Sequence, residues 1–267
     1  EKVDPSVQGP QVLVISPTRE LAEQTQKVFQ SMGAYSAVGV HLCSGGRSME
    51  EDRRVLGLGT GIVSGTPGRV FDMVVRKVLQ TDRLKLVVLD EADELLRNEF
   101  RKQLHALFAH LPRVQLVFVS ATLPKDVLAL AEKIMQNPLR VLLPRDQLSL
   151  DGVRQFFVII DSDNLKFETL LDLFDSLAAT QTAIFCNSKP RVTRLSSALR
   201  AEGLSVCSLS SDLVQKERSA LLSEFRRGNF RLLVSTDLLS RGIDVQEVSL
   251  VLNFDFPPSR ETYIHRM

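Results

Sequence analysis

Asp90-Glu91-Ala92-Asp93 follows directly on residues 84–89, an apolar run broken only by Lys85, so three carboxylates stand where a buried strand surfaces. A carboxylate at such a strand end holds the Mg2+ of a nucleotide through water, and a second beside it orients or deprotonates the attacking water. One Asp here would be better read as the cap of the next helix. The company argues for more, because Ser120-Ala121-Thr122 closes a second strand-like run, residues 114–119, in the same manner. Pro17-Thr18-Arg19-Glu20-Leu21, Gly45-Gly46-Arg47 and Thr66-Pro67-Gly68-Arg69 end further runs in this half of the chain. The other half repeats the habit with Asn187-Ser188-Lys189, Ser210-Ser211-Asp212, Ser235-Thr236-Asp237, Arg241-Gly242-Ile243-Asp244 and Asn253-Phe254-Asp255.

Each cluster has an ordinary use and a chemical one. Thr66-Pro67-Gly68-Arg69 is a good helix start, with Thr as cap and Pro in the first turn, and alone that is the better reading. As a phosphate site, the Thr hydroxyl and the free amides bind one phosphate while Arg69 clamps another. Thr18 and Arg19 present the same chemistry at a second helix start. Gly45-Gly46 permits close approach of a backbone, although a Gly pair in a turn is weak evidence. Gln215 and Arg218, one helical turn apart, form either a solvated face or a polar grip on a strand. Ser, Thr, Gly and Arg without exposed aromatics fit a reading of backbone rather than bases, hence sequence-independent binding of one nucleic-acid strand.

The elements that must position them alternate. Strand-like runs at 12–16, 38–43, 61–64, 84–90, 114–120 and 139–143 are separated by amphipathic stretches such as 19–32 and 124–135. After a polar connector at 144–152, strand-like runs return at 155–160, 182–186, 205–209, 230–235 and 249–253, with helical patterns at 166–177, 191–201 and 214–226. Strands separated by helices predict parallel sheets covered on both faces. In such sheets ligands bind beyond the carboxyl ends of the strands, where the unusual residues fall.

Composition excludes several alternatives. With 44% hydrophobic and 24% charged residues the chain reads as globular, and no apolar run is long enough to span a membrane. Cys43, Cys186 and Cys207 lie far apart inside strand-like runs, which favours small buried hydrophobes over zinc or disulfides. The four histidines give no metal-ligand spacing. A net charge of +1 from 33 basic and 32 acidic residues supplies no overall field, so nucleic-acid binding must come from local placement of Arg and Lys.

In order and spacing the clusters resemble those of the DEAD-box RNA helicases, and stretches such as Ile184-Phe185-Cys186-Asn187 and Gln215-Lys216-Glu217-Arg218 look like the translation initiation factor 4A group. The resemblance runs the whole length. It implies two RecA-like domains, each a parallel sheet flanked by helices, at 1–146 and 154–267 with a linker at 147–153, closing on ATP, Mg2+ and one RNA strand. By motif position Asp90 holds the Mg2+ shell through water, Glu91 activates water, and Gly242 and Asp244 reach the nucleotide. The coupling of nucleotide state to strand separation falls to Asp93, Ser120, Thr122, Arg241 and His265, with Asp93, Ser120 and Thr122 counted in the catalytic set. Pro17, Thr18, Arg19, Gly45, Gly46, Thr66, Pro67, Gly68, Arg69, Asn187, Gln215, Arg218 and Thr236 bind the RNA backbone. The expected protein is monomeric, cytoplasmic or nuclear rather than secreted, free of membranes, and open to an activating scaffold protein.

Departures from the family matter equally. No Gly-x-x-x-x-Gly-Lys-Ser/Thr occurs, and Gly57-Leu58-Gly59-Thr60-Gly61 lacks the Lys. The family carries its phosphate loop upstream of Pro17 and two arginines beyond His265-Arg266, so both ends are expected to be cut and the 267 residues to be catalytically silent. Ser210-Ser211 stands where the group usually has His-Gly, and Ser240 where it usually has Ala. The alternative reading is an RNA-binding clamp that never hydrolyses ATP, and a DNA-acting relative fits the motif forms less well.

Overall fold

β1 (Val12–Ile15) shows how a period of two builds a sheet that is buried on both faces. Leu13 and Ile15 enter one core with Val63, Val87 and Leu89, whereas Val12 and Val14 enter another with Ile62 and Phe29. There follow α1 (Arg19–Met32), β2 (Gly39–Cys43), α2 (Met49–Gly57), β3 (Thr60–Gly65), α3 (Pro67–Val75), β4 (Leu86–Asp90), the single turn α4 (Ala92–Leu95), α5 (Asn98–Phe108), β5 (Gln115–Val119) and α6 (Lys125–Ile134). The strands are parallel in the order β2-β3-β1-β4-β5. All their carboxyl ends therefore reach one edge.

A second sheet is built in the same way. A 3₁₀ turn at Asp163–Leu165 leads into α7 (Lys166–Ser176), β6 (Gln181–Phe185), α8 (Lys189–Ala201), β7 (Val206–Leu209), α9 (Gln215–Arg226), β8 (Leu232–Ser235), β9 (Val248–Asn253) and α10 (Arg260–Arg266). Its strands are parallel in the order β7-β8-β6-β9, and Ile184, Val206, Leu232 and Val234 meet Leu195 and Leu199 of α8 in its core. The computed structural model describes residues 3–143, 152–177, 179–210, 212–237 and 248–267. Contacts divide the chain into two compact units, Glu1–Pro138 and Leu139–Met267. Most of the linker expected at 147–153 lies outside the described residues.

Two expected strands do not form. Residues 139–143 and 155–160 have strand-like composition but join neither sheet among the described residues, and Leu139 is 92% and Phe156 84% exposed. An apolar β-branched run becomes a strand only where a neighbour completes its hydrogen-bond ladder, and composition does not report neighbours. The cysteines behave as small buried hydrophobes. Burial pushes the thiols of Cys43 and Cys186 up to about 12 and that of Cys207 up to about 11, so none is a thiolate at neutral pH. No helix among the described residues is long and apolar enough to cross a membrane.

Candidate functional site

The carboxyl edge of the first sheet collects residues from all five strands. Buried Pro17 follows two residues after the end of β1, and Thr18 caps α1, its Oγ1 accepting from the Leu21 amide at 3.3 Å. The capping role is the one expected of Thr66 rather than of this hydroxyl, for which a phosphate contact is expected. Arg19 lies against the loop after β2. A Cβ at Gly45 would stand 2.7 Å from Arg19 Nη2, and Gly46 adopts a φ of +85°, so both glycines are required for the guanidinium to rest on this backbone. Among the described residues Arg19 has no ion pair or hydrogen bond, which leaves its charge uncommitted at the sheet edge.

After β3, Thr66 begins α3 with Pro67 in the first turn, and the Thr66 hydroxyl makes no capping bond. The first-turn amides of such a helix have no partner within it, and with Pro67 taking the one position that lacks an N–H, those of Gly68 and Arg69 remain as donors. Arg69 is placed differently from the phosphate clamp expected of it. Its Nε and Nη2 donate to Asp52 Oδ2 at 3.1 and 2.6 Å, and Nη2 also donates to the Arg47 carbonyl at 3.0 Å.

β4 ends in Asp90, whose Oδ1 accepts from the Glu91 amide at 3.1 Å. Burial raises the Asp90 carboxyl above the ordinary range, and the amide bond opposes that shift. Glu91 has a φ of +52°, in the left-handed region that costs a non-glycine residue about 1 kcal/mol or more and that recurs at functional sites. Asp93 is fully buried, with Oδ1 accepting from the Glu94 amide at 2.8 Å and Oδ2 from Thr122 Oγ1 at 2.7 Å. Ser120 Oγ donates to the Thr122 carbonyl at 2.7 Å. The two motifs closing β4 and β5 are therefore joined directly, through one buried bond.

In the second unit the strand ends are held by Arg266. This fully buried guanidinium donates to Asp237 Oδ1 at 2.5 Å, to Asn253 Oδ1 and the Asp255 carbonyl at 3.0 Å each, and to Asn187 Oδ1 at 2.8 Å. It also lies over the Phe185 ring, 5.3 Å from the centroid. Asn187 is bound on every side, since its amide donates to Asp255 Oδ2 and its Nδ2 to the Phe256 carbonyl. Gln215 and Arg218 share the first turn of α9, where Gln215 Nε2 donates to Ser219 Oγ and Arg218 Nη2 to the Leu213 carbonyl, each at 3.5 Å. Thr236 follows β8 with its carbonyl accepting from Ser235 Oγ, and His265 is half-buried on α10. Arg241, Gly242 and Asp244 lie outside the described residues.

Asp52 and His41 carry no sequence signal as organisers of these edges, and Asp255 and Arg266, though part of expected clusters, carried no such role there. Spacing could not have found Asp52, which is separated from Arg69 by 17 residues and carries no motif of its own. The expected lack of exposed aromatics does not hold either, since Phe256, three residues past β9, is 82% exposed and stacks on Tyr263.

The model of the DEAD/DEAH box helicases matches residues 1–130, and that of the helicase conserved C-terminal domain matches residues 165–267. The chain is 48% identical to eukaryotic initiation factor 4A-3 of Nicotiana plumbaginifolia over 266 residues, covering 99% of this chain and 68% of the relative. This chain belongs to the DEAD-box helicase family. Eukaryotic initiation factor 4A of Dictyostelium discoideum is 49% identical, and the ATP-dependent RNA helicase FAL1 of Pyricularia oryzae 50%, each over 99% of this chain and 66% of the relative. The chain thus spans about two thirds of the length of the curated relatives it matches. Among solved structures, S. cerevisiae Dbp5 bound to RNA and ADP BeF3 superposes with a TM-score of 0.92 at 33% identity, covering 99% of this chain and 69% of that one. The two parallel sheets are those of RecA-like DEAD-box proteins.

Proposed function

We propose that this DEAD-box chain is the core of an ATP-dependent RNA helicase that grips one RNA strand by its phosphates and couples that grip to Mg·ATP. The observation that carries the proposal is the convergence at one sheet edge of the uncommitted Arg19, the α3 start at Thr66, the Asp90–Glu91 carboxylates and the Asp93–Thr122 bond. The RNA bound by the similar Dbp5 supports the same reading. Asp90 suits Mg2+: it is a hard oxygen donor whose carboxyl is raised by burial, with no cationic side chain among the causes of that shift. Bound there, Mg2+ would neutralise phosphate charge. Asp90 would hold its water shell, and Glu91 would take the proton of the attacking water. Gly242 and Asp244 remain nucleotide contacts, and Asn187, Gln215, Arg218 and Thr236 RNA contacts, in this proposal. A soluble protein working in cytoplasm or nucleus, with a scaffold partner, belongs to it as well.

Two tests address the grip and the coupling. Arg19→Ala should weaken binding to every single-stranded RNA sequence alike, by about 1–3 kcal/mol, and lower the slope of log affinity against log salt by roughly 0.7. Fluorescence titrations at several salt concentrations decide this, and a loss confined to certain bases would contradict backbone reading. Ser120→Ala with Thr122→Ala removes the hydroxyls that bond the Thr122 carbonyl and Asp93. In an ATP-competent polypeptide carrying these residues, hydrolysis should survive better than strand separation, because the Thr122 hydroxyl links the two motifs and that of Ser120 braces its own, neither touching the attacked phosphate. Equal losses in parallel ATPase and unwinding assays would place them in the chemistry instead.

A further inference from the structure

We infer that Asp52 is a positioning residue for RNA binding, and that Arg69 acts with it by holding loop 45–47 in place rather than by touching a phosphate. The inference rests on the RNA reading above. Asp52 sits on α2 with no exposed surface and is saturated from two sides: His41 Nε2 of β2 lies 2.9 Å from Oδ1, and Arg69 of α3 donates twice to Oδ2. His41 is itself buried, and burial lowers its pKa, so at neutral pH it meets Asp52 as a neutral donor. The third Arg69 bond, to the Arg47 carbonyl, fixes the loop. Arg19 lies against Gly45 and Gly46 of the same loop. Two guanidiniums thus meet this loop, of which only Arg19 is otherwise uncommitted.

Energetics favour this division of labour. The Arg69 side chain is 13% exposed, and turning it to a phosphate would strand a fully buried carboxylate. That loss exceeds what one solvent-facing phosphate contact returns. Geometry also distinguishes the roles, because the three bonds of Arg69 need the planar fork of a guanidinium, whereas a point charge suffices for a phosphate.

The test uses the full chain and a fluorescein-labelled oligouridine, with amide hydrogen exchange of loop 45–47 followed in the free protein. Arg69→Ala, Arg69→Lys and Asp52→Asn should each speed exchange in that loop and weaken oligouridine binding on the order of tenfold, at temperatures well below each melting midpoint. Asp52→Asn with Arg69→Ala should bind no worse than either alone, since both act through one anchor. Should Asp52→Asn not fold, Arg69→Lys still decides, because full retention of binding by the lysine variant means that charge, and so direct phosphate contact, is what matters. Weaker binding without faster loop exchange, or additive losses in the double variant, would likewise overturn the inference alone. If the unaltered chain fails to bind oligouridine, the RNA reading falls and takes the inference with it, whatever the loop does.

Discussion

Glu91→Gln is expected to lower RNA-stimulated ATP turnover about a thousandfold in a polypeptide that joins these 267 residues to a phosphate loop. The amide keeps the size of the side chain and its place after β4, but it cannot take a proton from water. The strained backbone at Glu91 and the amide bond to Asp90 should persist, so nucleotide affinity should hold while turnover falls. The 267 residues alone are expected to be silent for a complementary reason. Catalysis of phosphoryl transfer is mostly electrostatic stabilisation of the transferring group, and no Gly-x-x-x-x-Gly-Lys-Ser/Thr cradle occurs among them. A coupled phosphate-release assay compares the three proteins. Turnover by the 267 residues above the Glu91→Gln background would mean that the phosphate site is misplaced, and a silent longer polypeptide that still binds RNA would identify a clamp that does not hydrolyse ATP.

Arg266→Ala should unfold or loosen the second unit rather than merely impair its chemistry. The guanidinium is fully buried and serves Asp237, Asn253, Asp255 and Asn187 together, so its removal leaves several inward polar groups without their donor. Breaking a buried charged network by deleting one member costs about 3–5 kcal/mol. Arg266→Lys should recover only part of this, because an ammonium cannot reach four acceptors in one plane. Urea denaturation of both variants measures the effect, and a loss below about 1 kcal/mol would show that the network contributes little to stability.

Much of the first sheet was legible. The helix expected at 19–32 is α1 as observed, Arg19–Met32, because Thr18 supplies a cap and the apolar stripe has a helical period. Strands β1, β2, β4 and β5 lie within their expected runs and β3 differs by a residue at either end, since a period of two, or an unbroken apolar run, is a local property. The clusters at their carboxyl ends do share one edge, a consequence of parallel pairing that alternation of strand and helix already implies. Residues 139–143 and 155–160 read as strands by the same local rule and failed it, because pairing is not local.

The sequence by itself therefore determined the class of fold, the parallel pairing of its strands and the edge where chemistry must lie, but not the order of the strands in each sheet. Only the tertiary structure decided which polar groups at that edge are free and which are already committed. Thr18, Thr66, Arg19 and Arg69 are alike on paper, yet Thr18 caps a helix while Thr66 does not, and Arg69 is bound to Asp52 while Arg19 is not. Arg266 and Asn187 meet across 79 residues. A hydrogen bond forms within about 3 Å, and whether two groups come that close is set by how helices seat on a sheet, which the order of residue types along a chain does not record.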